Sequence, residues 1–146
     1  GSSLPFTFDV SYTIKLNNSS VLSIVFFINQ FTGDMHNYIW DYCVNYNMTN
    51  GASLSLSDLF NSDSSVYMQK IYNYIENQIA QNPDNYYPDT KLVETFDYSN
   101  KWYLSSDGLV CVFNPYQIAP YVSGIIQFTI PYSEFSGMMK IDPNMG

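Results

Sequence analysis

The sequence predicts an α+β domain in which an antiparallel β-sheet, built as a meander plus hairpins, packs against one main helix. Three observations predict it. Several segments alternate apolar and polar residues with period two, one segment carries apolar residues three and four apart, and short turn clusters separate them.

The elements follow in chain order. Phe6, Phe8, Val10, Tyr12, Ile14 and Leu16 alternate with Thr7, Asp9, Ser11, Thr13 and Lys15, the pattern of a strand whose apolar face is buried. Asn17-Asn18-Ser19-Ser20 is a turn cluster, because Asn tolerates left-handed backbone and Ser bonds its own backbone, so a hairpin leads into a second strand over 21–31. Thr32-Gly33-Asp34 interrupts it. Tyr38, Trp40, Tyr42, Val44, Tyr46 and Met48 alternate again and make a third strand, with Tyr42 and Tyr46 expected in the core or half-buried. Asn50-Gly51 closes that strand, and the N-cap-rich run 61–65 opens a helix over 65–81. Tyr67, Ile71, Tyr74, Ile75 and Ile79 form its apolar stripe, and Pro83 ends it. A loop over 82–90 is pinned by Tyr86 and Tyr87. Segments 101–104 and 109–113 make a hairpin, with Asp107-Gly108 suiting the positive φ of a tight turn. A compact loop over 114–121 precedes a final strand over 124–130, stopped by Pro131, and Ser133-Glu134-Phe135 opens a short terminal helix. Gly1-Ser2-Ser3 reads as an expression remnant, and 4–146 as a single domain.

Composition narrows function. With 46% hydrophobic and 18% aromatic residues among 146, the chain is globular rather than disordered. Thirteen acidic residues against five Lys and no Arg give a net charge of -8. Nucleic acid is excluded as a partner, because its recognition needs Lys and Arg clusters; cationic partners are favoured. The longest apolar stretch, 21–28, falls far short of the ~20 residues of a membrane span, so attachment to a membrane is expected only through a segment outside this chain. Cys43 and Cys111 each sit in an apolar run without a second metal ligand at useful spacing, which excludes zinc. They read as buried free thiols, a disulfide staying open should their strands be neighbours.

No catalytic apparatus is legible. His36 is the only histidine, no G-x-S-x-G elbow accompanies it, and no phosphate-cradling glycine motif occurs. Asp34-x-His36 is a seed for a metal or acid-base site that lacks further ligands. Asp41, Asp58, Asp97, Asp107 and Glu134 read as caps, turns and solvated faces rather than a glycosidase pair, Asp107 through its turn and Asp58 through the approach to the helix. No enzyme activity, cofactor or metal is therefore expected. Binding is expected on the loops 33–38 and 114–121, with Asp34, His36, Tyr38, Tyr116 and Tyr121 as candidate residues, since loops on a rigid sheet most often carry it.

The order of segments carries a resemblance. Val21-Leu22-Ser23-Ile24, Gly33-x-x-His36, Asn50-Gly51 and Leu54-x-Leu56-x-Asp58-Leu59-Phe60 are followed by three further blocks. These are Trp102 to Val110, Phe113-Asn114-Pro115-Tyr116-Gln117-Ile118-Ala119-Pro120-Tyr121, and Ile130-Pro131-Tyr132-Ser133-Glu134-Phe135. Over residues 6–135 the chain resembles the bacterial extracytoplasmic domain family shared by the anti-sigma factor RsiV and the noncatalytic N-terminal region of the peptidoglycan deacetylase PdaC. It departs from that family where a Gly-Gly-x-His-Gly loop is usual and Thr32-Gly33-Asp34-Met35-His36-Asn37 stands. The resemblance implies an extracytoplasmic, noncatalytic sensing domain whose partner is a basic protein such as lysozyme. Its alternative implication is an accessory domain of a deacetylase-type protein, contacting peptidoglycan glycan.

Overall fold

The fold is that of a computed structural model describing residues 5–144; the expected expression remnant lies outside the described residues. Period-two alternation yields three long antiparallel strands, β1 (Thr7–Asn17), β2 (Val21–Phe31) and β3 (Tyr38–Asn47), in the order β1-β2-β3. The Asn18 side chain closes the first hairpin by accepting from the backbone N–H groups of Ser20 and Val21, both at 2.9 Å. A second antiparallel sheet, β4 (Trp102–Leu104), β5 (Gly108–Phe113) and β6 (Ile126–Pro131), runs in the order β4-β5-β6. Between the sheets in sequence lie the helix α1 (Ser64–Gln81) and the single turn α2 (Leu92–Thr95). The architecture is α+β, as the sequence predicts, with the strands divided between two sheets. The expected short terminal helix is a 3-10 turn at Tyr132–Phe135.

The layers stack in a definite order. Tyr67, Ile71 and Ile75 of α1 pack on one face of the second sheet, where Trp102, Leu104, Leu109, Cys111, Phe113, Phe128 and Ile130 complete the main core. The opposite face of that sheet, with Tyr103, Val110 and Val112, meets Val25 and Cys43 of the first sheet. Strand β5 is therefore buried on both sides along its length.

The first sheet turns inward a mixed face that joins Val21, Val25 and Cys43 to Ser23, Asp41 and Asn45, and β1 stays exposed along nearly its whole length, which corrects the reading of β1 and β3 as strands with their apolar faces buried. Ser23, Asp41 and Asn45 are buried, while Phe8, Val10, Tyr12 and Ile14 are 51–68% exposed and Tyr42 is 43% exposed. The reason lies in what the inner face meets. Ser23 Oγ donates to Asn45 Oδ1 at 2.6 Å, Asn45 Nδ2 donates to the Trp102 carbonyl at 3.0 Å, and the Leu104 N–H donates to Ser23 Oγ at 3.2 Å. The seam between sheets is thus held by paired polar groups, which would be costly to bury unpaired. On the outer face the register aligns three apolar rows across β1, β2 and β3: Val10-Ile28-Trp40, Tyr12-Phe26-Tyr42 and Ile14-Ile24-Val44.

Gly108 also departs from expectation. Its φ is not positive, so the turn does not require it; a Cβ there would meet the Ile130 carbonyl oxygen at 2.1 Å. The glycine allows close approach of β5 to β6. No helix among the described residues is long and apolar enough to cross a membrane.

Candidate functional site: an aromatic cleft at one end of the sheets

Two loops converge at the end of the molecule where β2 turns into β3. The β2–β3 loop breaks because Gly33 adopts φ 91°, a conformation that favours glycine. The β5–β6 connection is shaped by Tyr116, which holds a left-handed φ of 70°, and by the 3-10 turn Tyr121–Ser123 that follows Pro120. Asn114 fixes the start of this connection. Its Oδ1 accepts from the Asp41 N–H at 3.2 Å, and its own N–H donates to Gln117 Oε1 at 2.6 Å.

Between the loops lies an open cleft of about 290 Å³. Asp34, His36 and Tyr38 line it from the first loop, Tyr116 and Tyr121 from the second, so all five residues singled out in the sequence share one wall system. The loops are locked together by the Tyr121 hydroxyl, which donates to the Asn37 carbonyl at 2.7 Å, while Asn37 Nδ2 donates to Asn29 Oδ1 at 2.9 Å. The His36 ring stacks on Tyr121 with centroids 4.6 Å apart and planes 20° apart, and the Tyr116 ring centroid lies 5.6 Å from that of Tyr121. Asp34 accepts from the Tyr38 hydroxyl at 2.9 Å and from Thr32 Oγ1 at 3.3 Å. That bond and the adjacent carboxylate charge push the Tyr38 phenol above its ordinary pKa.

The cleft joins one carboxylate to a run of aromatic faces. No lysine lines it. Such a site suits a cationic side chain, through charge pairing at Asp34 and attraction to the negative ring faces, or a flat sugar ring through stacking. Asp34 and His36 are engaged by different partners, and among the described residues no three His, Cys, Asp or Glu side chains form a group able to hold a metal ion. Met35, 94% exposed at the cleft, and Asn37, which ties one loop to the other, fall within the expected loop 33–38 but were not singled out in it; a surface methionine and one of many asparagines carry no periodic or motif signal.

The other carboxylates are placed elsewhere. Asp58 Oδ2 accepts from Ser55 N and Oγ at 2.8 and 2.9 Å, capping the 3-10 turn Leu56–Leu59. Asp97 accepts from the Ser99 N–H, and Asp107 sits in its turn beside Ser105. Asp41 is the exception to the reading as a solvated group: it is 6% exposed in the seam, and desolvation pushes its carboxyl above the ordinary range against the pull of Gln127, Lys15 and Lys101. Lys101 donates from Nζ to the Asp41 carbonyl. Both cysteines are free and buried, and desolvation pushes the Cys43 thiol to about 12 and the Cys111 thiol higher still.

A family model described as a protein of unknown function, DUF3298, matches residues 57–133, just over half of the sequence. The chain belongs to the DUF3298 family. Two solved structures share the DUF3298 fold. A family protein from Pseudomonas aeruginosa PAO1 superposes with TM-score 0.75 at 18% identity, covering 97% of this chain and 65% of that one. A member from Bacteroides fragilis NCTC 9343 gives TM-score 0.75 at 22% identity, covering 100% of this chain and 59% of that one. The chain thus spans under two thirds of either relative's length. No curated protein matches the sequence. The matched DUF3298 segment holds Tyr116 and Tyr121, whereas Asp34, His36 and Tyr38 lie upstream of it.

Proposed function

We propose that this DUF3298 domain is a noncatalytic extracytoplasmic recognition module whose ligand is a basic protein, with lysozyme as the first partner to test. The observation that carries the reading is the convergence of Asp34, His36, Tyr38, Tyr116 and Tyr121 on one cleft in a chain of net charge -8. A basic ligand is drawn by the long-range field and docks a lysine or arginine against Asp34 and the tyrosine faces. The sequence resemblance to the RsiV and PdaC domains supports the extracytoplasmic setting and the choice of lysozyme. A second reading, an accessory domain contacting peptidoglycan glycan, draws on the stacked His36–Tyr121 pair beside the exposed Tyr116 ring.

Calorimetric titration with lysozyme at low salt and at ~150 mM, with a charge-matched basic protein as control, tests the first reading. Saturable binding that survives the higher salt, and that Asp34→Asn weakens about tenfold, supports it. Binding shared with the control and abolished by salt would refute it, and a titration with peptidoglycan fragments then tests the glycan alternative.

A further inference from the structure

The outer face of the first sheet is apolar and uncovered. Its three rows hold nine side chains, all apolar or aromatic, and Tyr12 and Tyr42 are 68% and 43% exposed. No charged side chain of β1, β2 or β3 stands among them; the buried Lys101 holds its Nζ 5.9 Å from the Tyr42 ring centroid. The three charged residues of β1, β2 and β3 lie on the other side: Asp9 and Asp41 by register, and Lys15 with its Nζ over the Tyr103 ring at 5.4 Å. Sorting of this kind is not needed by a solvated sheet, which keeps its apolar side for the core and its polar side for water.

The geometry points to this face as the contact between two copies of the chain, packed sheet on sheet across a two-fold axis. Two features select a second copy. Each copy carries a net charge of -8 and so repels its like; this carboxylate-free face is the surface on which two copies meet without opposing carboxylates. The area is also sufficient. Aromatic side chains offer about 150–250 Å² each, and with the exposures of β1 and Tyr42 the uncovered face amounts to roughly 700 Å², close to the ~800 Å² per partner of a standard interface. Two flat sheet faces meet at about 10 Å, as in a β-sandwich, so each copy would supply one layer of a shared apolar core. A monomer, by contrast, rarely leaves a contiguous apolar patch of this size in water.

Sedimentation equilibrium over a concentration series of this chain tests the assignment, with Tyr12→Glu and Tyr42→Glu beside the wild type. The wild type is expected at twice the 16.8 kDa mass with a dissociation constant in the micromolar range or below. Each variant is expected as a monomer, its circular dichroism unchanged because both side chains are exposed. Tyr42 stands on β3, two strands from the β1 edge, so a dimer formed by edge pairing of β1 survives Tyr42→Glu and overturns the proposal. A wild type that stays monomeric at ~100 μM also overturns it. Asp9→Asn, on the opposite face, is expected to leave the dimer intact, and its loss there would count against the assignment.

Discussion

At the scale of single residues, two side chains hold positions that their chemistry resists. Tyr116 sits at φ 70°, where a side chain costs roughly 1–2 kcal/mol, yet its ring is 57% exposed and lies against Tyr121 at the cleft. Strain at an exposed aromatic is spent on presenting the ring to the cleft. Tyr116→Gly relieves the backbone at the cost of glycine's unfolded-state freedom, so thermal unfolding should show a stability change within about 1 kcal/mol while cleft binding is lost. Asp41 shows the second case. Burial raises its folded pKa above the unfolded value of about 3.9, so the folded state holds the proton more tightly. Its contribution is fully present below the unfolded pKa and is lost as pH rises through the raised folded one. Asp41→Asn should therefore flatten the decline of stability with pH just above pH 4, measured by urea unfolding across that range; an unchanged slope would assign the decline to other groups.

At the scale of elements, close approach of backbones decides what can be substituted. The β5–β6 pair comes so near at Gly108 that any Cβ meets the Ile130 carbonyl, and β5, buried on both sides, has little room to shift away. Gly108→Ala should cost at least the upper end of the roughly 1–3 kcal/mol of overpacking, read as a lowered urea midpoint. An alanine tolerated there would mean the strands can separate. Strand positions and the helix were legible in the sequence because period two and the Tyr67-Ile71-Ile75 stripe are properties of neighbouring residues. Which side of β1 and β3 faces inward was not legible. Alternation tells which residues share a face, whereas the covering of that face depends on Trp102, Leu104 and Tyr103, far away in sequence, and on the Ser23–Asn45 pair that bonds their backbone. The cleft was legible in part: Gly33 marked one aromatic loop and Pro115 and Pro120 a second, compact one, but their meeting depends on the Tyr121–Asn37 bond, which no local pattern encodes.

At the scale of the whole molecule, the cleft and the outer face of the first sheet answer to opposite physics, and salt separates them. The cleft offers a carboxylate on an acidic chain, so attraction to a basic ligand falls as ions screen it within a Debye length of ~8 Å at 150 mM. The strand residues of the outer face carry no carboxylate, and what opposes two copies meeting there is the repulsion between their net charges of -8. Screening weakens that repulsion, as does protonation toward the pI of about 4.1, while burial of apolar rows is untouched by either at moderate salt. Raising salt from ~50 to ~300 mM should thus weaken lysozyme binding severalfold and tighten self-association, and lowering pH from 7 toward 5 should tighten self-association further. Calorimetry for the first and sedimentation for the second read these independently. Matching salt slopes of the same sign would mean that one charged surface governs both contacts, and the division of labour between cleft and sheet face would fail.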